Sequence, residues 1–204
     1  VYMDVIDEQK YIGNIRELQE RKNELIRPAV ANIDQALVIF AAAAPEPNLG
    51  LLDRFLIQME HAGIDTIICF NKTDLVESAE EARLRKIYES AGYRVLTISA
   101  ANREGISEIE AVLKGKVTTV AGPSGVGKST LVNCLQSEMV MERGDISAKI
   151  ARGKHTTRHS QLMEIDKDTY IFDTPGFSSL SVSELLPEEL KACFPEFHRY
   201  EDTC

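Results

Sequence analysis

The architecture of this chain follows from eight residues, Gly122-Pro123-Ser124-Gly125-Val126-Gly127-Lys128-Ser129, which match the pattern G-x-x-x-x-G-K-[ST] in full. A strand is predicted before them and a helix from Lys128 onward. The glycines let backbone N–H groups face phosphate oxygens, and the helix adds its positive N-terminal end. An ordinary glycine-rich turn is the alternative. We predict a nucleoside-triphosphate site formed by Gly122, Pro123, Ser124, Gly125, Val126, Gly127, Lys128, Ser129 and Thr130, with Lys128 on the β- and γ-phosphates and Ser129 on Mg²⁺.

Strands and helices alternate on both sides of this loop, which implies an α/β fold with a mainly parallel sheet covered on both faces. The last two strands are predicted to form a hairpin that turns at residues 166–168. The predicted strands are residues 36–43, 66–70, 94–98, 117–121, 161–165 and 169–172, and the predicted helices are residues 49–61, 78–91, 106–113 and 128–135.

The composition is that of a globular protein, with 204 residues, 44% hydrophobic and 27% charged. This length suits one domain, or one domain with fragments of its neighbours. No apolar run is long enough to span a bilayer, and the first residues lack a signal-peptide pattern. The start does not resemble a natural N-terminus, so we expect a segment upstream. These features favour a cytoplasmic protein without a membrane partner.

Charge and cysteines narrow the choice of partners and metals. The net charge of −9 argues weakly against nucleic-acid binding, but four basic residues fall within ten positions that hold no acid. The four cysteines form no C-x-x-C pair, so neither a closed metal site nor a disulfide framework is visible. The four basic residues are Lys149, Arg152, Lys154 and Arg158, and the cysteines are Cys69, Cys134, Cys193 and Cys204.

A second motif, Asn71-Lys72-Thr73-Asp74, directly follows the predicted strand at residues 66–70. The Asp74 carboxylate can accept both hydrogens of guanine N1 and N2, whereas adenine offers no such pair. Asn71 would brace the site, and the Lys72 stem would cover the ring. A polar turn after a strand is the alternative. Following the next strand, Ser99-Ala100 resembles the short S-A element that backs the guanine carbonyl in GTPases.

Two further segments predict switch regions that respond to the third phosphate. In Asp173-Thr174-Pro175-Gly176, Asp173 would hold Mg²⁺ through water and the Gly176 N–H would sense the γ-phosphate. D-x-P-G is also a common turn sequence, which is the alternative. Residues 153–158, GKHTTR, offer a switch threonine for Mg²⁺ and the γ-phosphate, with Thr157 preferred over Thr156. The alternative there is a basic surface loop.

The order of these motifs differs from that of common GTPases, in which the phosphate loop comes first. In this order and in its motifs the sequence resembles the RsgA (YjeQ/YloQ) family, the circularly permuted GTPases of bacterial small-ribosomal-subunit biogenesis. The matching stretches are residues 21–28 (RKNELIRP), 32–35 (NIDQ), 71–74 (NKTD), 122–130 (GPSGVGKST), 153–158 (GKHTTR) and 173–177 (DTPGF).

The resemblance implies three structural parts. Residues 1–31 would be the C-terminal part of an OB-fold barrel, residues 32–186 the permuted P-loop GTPase domain, and residues 187–204 the start of a zinc-binding helical domain. Cys204 would be the first Zn²⁺ ligand, with the other ligands beyond residue 204. An ordinary thiol is the alternative for Cys204.

The resemblance also implies an activity: hydrolysis of GTP to GDP and phosphate with Mg²⁺, stimulated by the small ribosomal subunit during its late maturation. It implies rRNA contact by a monomer. Phe177 follows the D-x-x-G motif, where a glutamine often orients the attacking water, so we expect low unaided turnover. His155 is the candidate to orient that water once a partner fixes its loop, or it only contacts RNA phosphate. A P-loop ATPase or kinase and a GTP-gated, non-enzymatic assembly scaffold are the rival functions.

Overall fold

A computed structural model describes residues 2–7, 12–26, 29–143, 161–174, 176, 179–183 and 185–197. None of the helices in these ranges has the length and apolar character that crossing a membrane requires. The strands are β1 (Tyr2–Asp7), β2 (Ile12–Glu17), β3 (Glu24–Leu25), β4 (Val30–Ala31), β5 (Gln35–Ala41), β6 (Asp65–Asn71), β7 (Arg94–Thr97), β8 (Val117–Ala121), β9 (Gln161–Asp166) and β10 (Thr169–Asp173), and the α-helices are α1 (Leu49–His61), α2 (Ser78–Ala91), α3 (Ile106–Leu113), α4 (Lys128–Arg143) and α5 (Pro187–Ala192).

The central sheet has six strands in the order β7-β6-β5-β8-β10-β9. All neighbouring pairs are parallel except the antiparallel hairpin of β9 and β10. Strand β5 lies at the centre of the parallel part, and all seven of its residues are buried. An apolar run of this kind is typical of a strand that is covered on both faces. The prediction of an α/β fold with a mainly parallel sheet is therefore confirmed.

Helices cover both faces of the sheet, and the alternating side chains of β5 define the two layers. Val38 and Phe40 belong to one buried cluster with Phe55 of α1 and with buried side chains of α2. Leu37 and Ile39 point to the opposite face, where they share a second cluster with α3 and α4. Both clusters extend along the whole parallel sheet, so its strand ends are held in a fixed arrangement.

The predicted bounds of α1, α2, α3 and β8 match the structure. Those of β6, β7, β9 and β10 differ by one residue at one or both ends, and those of β5 and α4 differ more. Strand β5 ends at Ala41, two residues earlier than predicted, because Ala44 adopts a left-handed φ of 48° and the chain turns there. Helix α4 continues to Arg143, well beyond residue 135. Periodicity did not predict α5, a short helix that packs against α1.

The N-terminal strands form two small antiparallel pairs, β1 with β2 and β3 with β4. Asn23 joins the second pair to the sheet, since its side chain donates to the Ile33 carbonyl at 2.8 Å and accepts from the Ile33 N–H at 3.0 Å. Lys22 forms an ion pair with Asp34 at 2.6 Å, which holds the pKa of that carboxyl below its usual range. The assignment of residues 1–31 to an OB-fold stays a prediction.

Gln35, at the start of β5, is a buried polar side chain with three partners. Its amide nitrogen donates to the Val112 carbonyl at 2.8 Å and to the Thr118 hydroxyl at 3.0 Å. Its amide oxygen accepts from the Lys116 ammonium at 2.8 Å. This network ties β5 to β8 and to the end of α3, at the edge of the sheet where the parallel strands begin.

We expect Gln35→Ala to lower the free energy of unfolding by about 2 kcal/mol, because buried partners lose their hydrogen bonds and a cavity forms. For a chain of this size the midpoint of thermal unfolding should fall by about 4–8 °C. Differential scanning calorimetry measures this change. Lys86→Ala, on the exposed face of α2, is the control and should shift the midpoint by less than about 2 °C. Equal midpoints for the two variants would contradict the assignment.

Candidate functional site

The sequence motifs converge at one edge of the sheet, because each follows the carboxyl end of a parallel strand. The N-K-x-D motif begins at the last residue of β6, the glycine-rich loop follows β8, and the D-x-P-G segment begins at the last residue of β10. Ser99-Ala100 comes two residues after β7. The chain reverses its direction of winding between β5 and β8, and ligands of open α/β sheets bind at such a point.

The glycines of the phosphate loop are required by close approaches of the backbone. Gly122 has φ of 149°, and a Cβ there would lie 2.1 Å from the Ile39 carbonyl oxygen on β5. Gly127 has φ of 97°, and a Cβ there would lie 2.3 Å from the Asn71 amide nitrogen. Both conformations are ones that residues with a side chain rarely adopt. The phosphate loop thus packs closely against both β5 and the N-K-x-D motif.

Lys128 folds back over the phosphate loop at the start of α4. Its ammonium donates to the carbonyl oxygens of Gly122 and Pro123, each at 2.7 Å. Burial lowers the pKa of Lys128 to about 8, and the nearby Asp173 carboxylate opposes that shift. The same ammonium would gain strong partners from anionic phosphate oxygens in the loop.

Asn71 connects the phosphate loop with two other motifs. Its side-chain nitrogen donates to the Val126 carbonyl at 2.9 Å. Its side-chain oxygen accepts from the Lys72 N–H at 2.8 Å and from the Ala100 N–H at 3.0 Å. Asn71 is buried, so these bonds are protected from competition with water. These bonds join the N-K-x-D motif to the phosphate loop and to the S-A element, and the bracing role of Asn71 in base binding stays a prediction.

Lys72 lies between the N-K-x-D motif and the phosphate loop. It adopts a left-handed φ of 64°, and its ammonium donates to the Gly125 carbonyl at 2.8 Å and to the Ala44 carbonyl. A short 3₁₀ turn, Thr73–Leu75, follows, and its Thr73 N–H donates to the Ile98 carbonyl at 3.2 Å. The N-K-x-D motif therefore forms hydrogen bonds with Ala44, with Gly125 of the phosphate loop and with Ile98.

The Asp74 carboxylate is exposed, but one of its oxygens accepts from the Ser99 hydroxyl at 2.5 Å. Ser99 is fully buried, and its hydroxyl also accepts from the Asn102 N–H at 3.3 Å. Ser99 and Glu104 exchange two backbone hydrogen bonds, which close the S-A loop. Within the S-A element, Ser99 thus contacts Asp74, and Ala100 contacts Asn71.

The D-x-P-G segment lies against the phosphate loop. Asp173 is buried, and the neighbouring Thr174 hydroxyl donates to the Val120 carbonyl of β8 at 2.6 Å. A Cβ at Gly176 would lie 3.0 Å from the Ser124 nitrogen and 3.2 Å from the Lys128 ammonium. Gly176 is therefore close to the backbone and the cation that are predicted to bind phosphate.

The remaining predicted residues differ in how far the structure describes them. Ser129 and Thr130 lie exposed in the first turn of α4. Among the residues that the structure describes, no group of histidine, cysteine, aspartate or glutamate side chains could hold a metal ion by itself. The predicted residues outside the described ranges are His155, Thr156, Thr157, Pro175, Phe177 and Cys204, together with the basic positions Lys149, Arg152, Lys154 and Arg158.

Ala44 and Thr174 contact the site without having been predicted from the sequence, Ala44 through its carbonyl on Lys72 and Thr174 through its hydroxyl on β8. Thr174 occupies a variable position of D-x-x-G, so the motif pattern carries no signal for it. Ala44 contributes a backbone atom, which its residue type does not reveal. The only available signal is its place after the apolar strand at residues 36–43, with prolines at 45 and 47.

A family model described as RsgA GTPase matches residues 18–183. Two curated relatives carry the name small ribosomal subunit biogenesis GTPase RsgA. The relative from Agathobacter rectalis is 58% identical over 200 residues, which are 98% of this chain and 66% of the relative. The relative from Alkaliphilus metalliredigens is 47% identical over 204 residues, which are 100% of this chain and 70% of the relative. The chain thus spans about two thirds of the length of these relatives.

Two solved structures are similar to this chain over most of its length. The crystal structure of YjeQ from Thermotoga maritima has a TM-score of 0.74 at 35% identity, and the match covers 93% of this chain and 64% of that one. The crystal structure of YloQ, described as a circularly permuted GTPase, has a TM-score of 0.73 at 34% identity. That match covers 97% of this chain and 63% of the YloQ chain.

The lowered pKa of Lys128 predicts a proton linkage. Above pH 8 the nucleotide-free lysine loses its proton, whereas bound phosphates raise its pKa and keep it charged. Binding of GDP, measured without Mg²⁺, should therefore take up about 0.2 proton at pH 7.5 and about 0.8 proton at pH 8.5, and affinity should fall as the pH rises. Isothermal titration calorimetry in buffers of different ionisation enthalpy measures the uptake.

The control for this linkage is Lys114→Ala, an exposed lysine that should leave the uptake unchanged. Lys128→Arg should abolish the pH dependence of any binding that remains, because arginine stays protonated at both pH values. Equal uptake at pH 7.5 and pH 8.5 in the unsubstituted protein would contradict the prediction.

Proposed function

The chain belongs to the RsgA GTPase family, and from this we propose that it binds GTP and hydrolyses it to GDP and phosphate. The observation that carries the proposal is the hydrogen bond from the Asn71 amide to the Val126 carbonyl at 2.9 Å. That bond joins a motif suited to a guanine base to a loop suited to phosphates. One nucleotide can therefore contact both, although the motifs are about 50 residues apart in the chain.

Guanine recognition rests on Asp74. Its carboxylate would accept from guanine N1–H and from the 2-amino group, a pair of donors that adenine lacks. The Ser99 hydroxyl, by donating to one carboxylate oxygen, limits the rotation of that side chain before the base arrives. In this proposal Thr73, Ser99 and Ala100 complete the base pocket, and Lys72 covers the ring.

Phosphate binding rests on the loop at residues 122–130 and on Lys128, whose ammonium would exchange carbonyl partners for phosphate oxygens. The oxygen donors of Ser129 and Asp173 suit Mg²⁺, which prefers hard oxygen ligands, and in this proposal Thr157 adds a third. A bound Mg²⁺ would neutralise charge on the phosphates. Asp173 is buried beside Lys128, so its carboxylate can act at the phosphate end of the site.

We further propose the small ribosomal subunit and its rRNA as partners, in late maturation of that subunit and therefore in the cytoplasm. The names of the curated relatives support a role in biogenesis of the small subunit. The basic residues between Lys149 and Arg158 supply the charge for an RNA contact within a chain of net charge −9. We propose that the protein acts as a monomer.

The proposed domain organisation follows the family resemblance: residues 1–31 as part of an OB-fold, residues 32–186 as the permuted GTPase domain, and residues 187–204 as the start of a zinc-binding domain. The isolated pairing of β1 with β2 supports a separate N-terminal unit. Cys204 is the proposed first Zn²⁺ ligand. The described residues offer no further zinc ligands at one place, so no part of the mechanism is assigned to zinc.

We expect Asp74→Asn to change the preferred base from guanine to xanthine. The asparagine amide would accept from xanthine N1–H and donate to the oxygen at C2, whereas it would oppose the guanine 2-amino group. Affinity for GTP should fall about 30–100-fold, and XTP should bind more tightly than GTP. Fluorescence titration with labelled GTP, XTP and ATP measures these affinities.

Asp65→Asn, the same substitution at the opposite end of β6, is the control and should leave the preference for GTP unchanged. Binding of ATP by the unsubstituted protein as tightly as GTP would point to a P-loop ATPase or kinase instead. An Asp74→Asn variant that keeps its preference for GTP would remove Asp74 from the base site.

Multiple-turnover hydrolysis of GTP should be slow for the protein alone and much faster with small ribosomal subunits. At saturating subunits, His155→Ala should lower the stimulated rate by about 10²–10⁴-fold, if His155 orients the attacking water. His61→Ala, at the exposed end of α1, is the control. A loss of rate seen only below saturation would assign His155 to RNA contact only, and absence of turnover with subunits would favour a GTP-gated scaffold.

A further inference from the structure

The loop between β5 and α1, residues 42–48, lies between the two halves of the proposed nucleotide site. Strand β5 is the neighbour of β6 on one side and of β8 on the other. All three strands are parallel, so the loop after β5 emerges between the N-K-x-D motif and the phosphate loop. Neither sequence motif includes any residue of this β5–α1 loop.

Both ends of the β5–α1 loop are fixed by hydrogen bonds. The Ala42 N–H donates to the Asn71 carbonyl at 2.7 Å, directly before Lys72. At the other end, the Asn48 side chain accepts from the Leu51 N–H at 3.0 Å and caps α1. The ends of the loop are thus held by the N-K-x-D motif and by α1.

The middle of the loop lies next to both motifs, since Ala44 contacts Lys72 and Pro45 lies near Gly125. The Ala44 carbonyl accepts a hydrogen bond from the Lys72 ammonium, which also donates to the Gly125 carbonyl at 2.8 Å. Pro45 Cδ lies 3.9 Å from the position that a Cβ on Gly125 would take. Lys72 is thus held by two carbonyls, one from the phosphate loop and one from the β5–α1 loop.

We propose that the Ala44 carbonyl is a positioning group for guanine-nucleotide binding, acting through Lys72. A lysine side chain loses much rotational freedom when a ligand orders it. Two carbonyl acceptors order the Lys72 side chain before the nucleotide binds. Its aliphatic stem then already extends between the two motifs, so binding of the base costs less side-chain entropy. This inference rests on the proposed function, because it assigns Lys72 to the guanine base.

The left-handed backbone of Ala44 sets the direction of its carbonyl. Its φ of 48° is accessible to glycine without cost and to alanine with some strain, but it is strongly unfavourable for a β-branched residue. Ala44 itself is exposed, so a larger side chain there meets no buried neighbour. Substitution with valine should therefore turn the carbonyl away from Lys72 and leave the sheet intact.

The test is a double-mutant cycle with Ala44→Val and Lys72→Met, read as the dissociation constant of GDP by fluorescence titration. We expect Ala44→Val to weaken GDP binding about five- to tenfold in the unsubstituted background and less than about twofold in the Lys72→Met background. Ala44→Gly should bind GDP at least about threefold more tightly than Ala44→Val. Glu46→Ala, an exposed position of the same loop, is the control and should leave the dissociation constant unchanged.

Equal losses from Ala44→Val in both backgrounds would overturn the proposal, because the loop would then act independently of Lys72. An unchanged affinity in Ala44→Val would overturn it as well. Thermal unfolding without nucleotide checks that each variant is folded, and Ala44→Thr, which is also β-branched but polar, replaces Ala44→Val in the cycle if the valine variant unfolds. Failure of the proposed function itself is distinguishable, since the unsubstituted protein would then bind GDP no more tightly than ADP.

Discussion

The arrangement of the site depends on the buried side chain of Asn71. Its amide satisfies the Val126 carbonyl of the phosphate loop, while its oxygen satisfies the N–H groups of Lys72 and Ala100. A buried amide with unmet hydrogen bonds is costly, so the three loops that supply these partners are held together. The same contact explains why residue 127 must be glycine, since any Cβ there would overlap the Asn71 nitrogen.

This constraint is independent of the order in which the strands occur in the chain. Strands β6 and β8 flank β5 and run parallel to it. The loops that follow them therefore lie at the same edge of the sheet, whichever strand comes first in the sequence. Circular permutation changes which strands are joined covalently, but it leaves the neighbours of β5 unchanged. The permuted order therefore preserves the contact between Asn71 and Val126, and it also preserves the nucleotide site that we propose at that contact.

Local signals predicted much of the fold. The bounds of α1 followed from helical periodicity, because Asn48 caps its start and the apolar positions that face the sheet recur at helical spacing. The end of β5 did not follow from periodicity, because the left-handed turn at Ala44 decides it and the residue type of Ala44 gives no signal for that turn. Likewise, the S-A element was a weak signal by itself, and its significance depends on Ser99 reaching Asp74 across 25 positions of sequence.

The same non-local character explains what pattern matching could not predict about the D-x-P-G segment. Its start is anchored to β8 through Thr174, and Gly176 approaches the Lys128 ammonium. Four residues after Gly176, Leu180 is buried in the cluster that includes α1, and the Gln58 side chain of α1 donates to the Ser181 carbonyl at 3.1 Å. Four residues span at most about 14 Å, so Gly176 lies no farther than that from Leu180. The segment is thus fixed on both sides of Gly176, by Thr174 against β8 and by Leu180 against α1, the helix that also contacts α5.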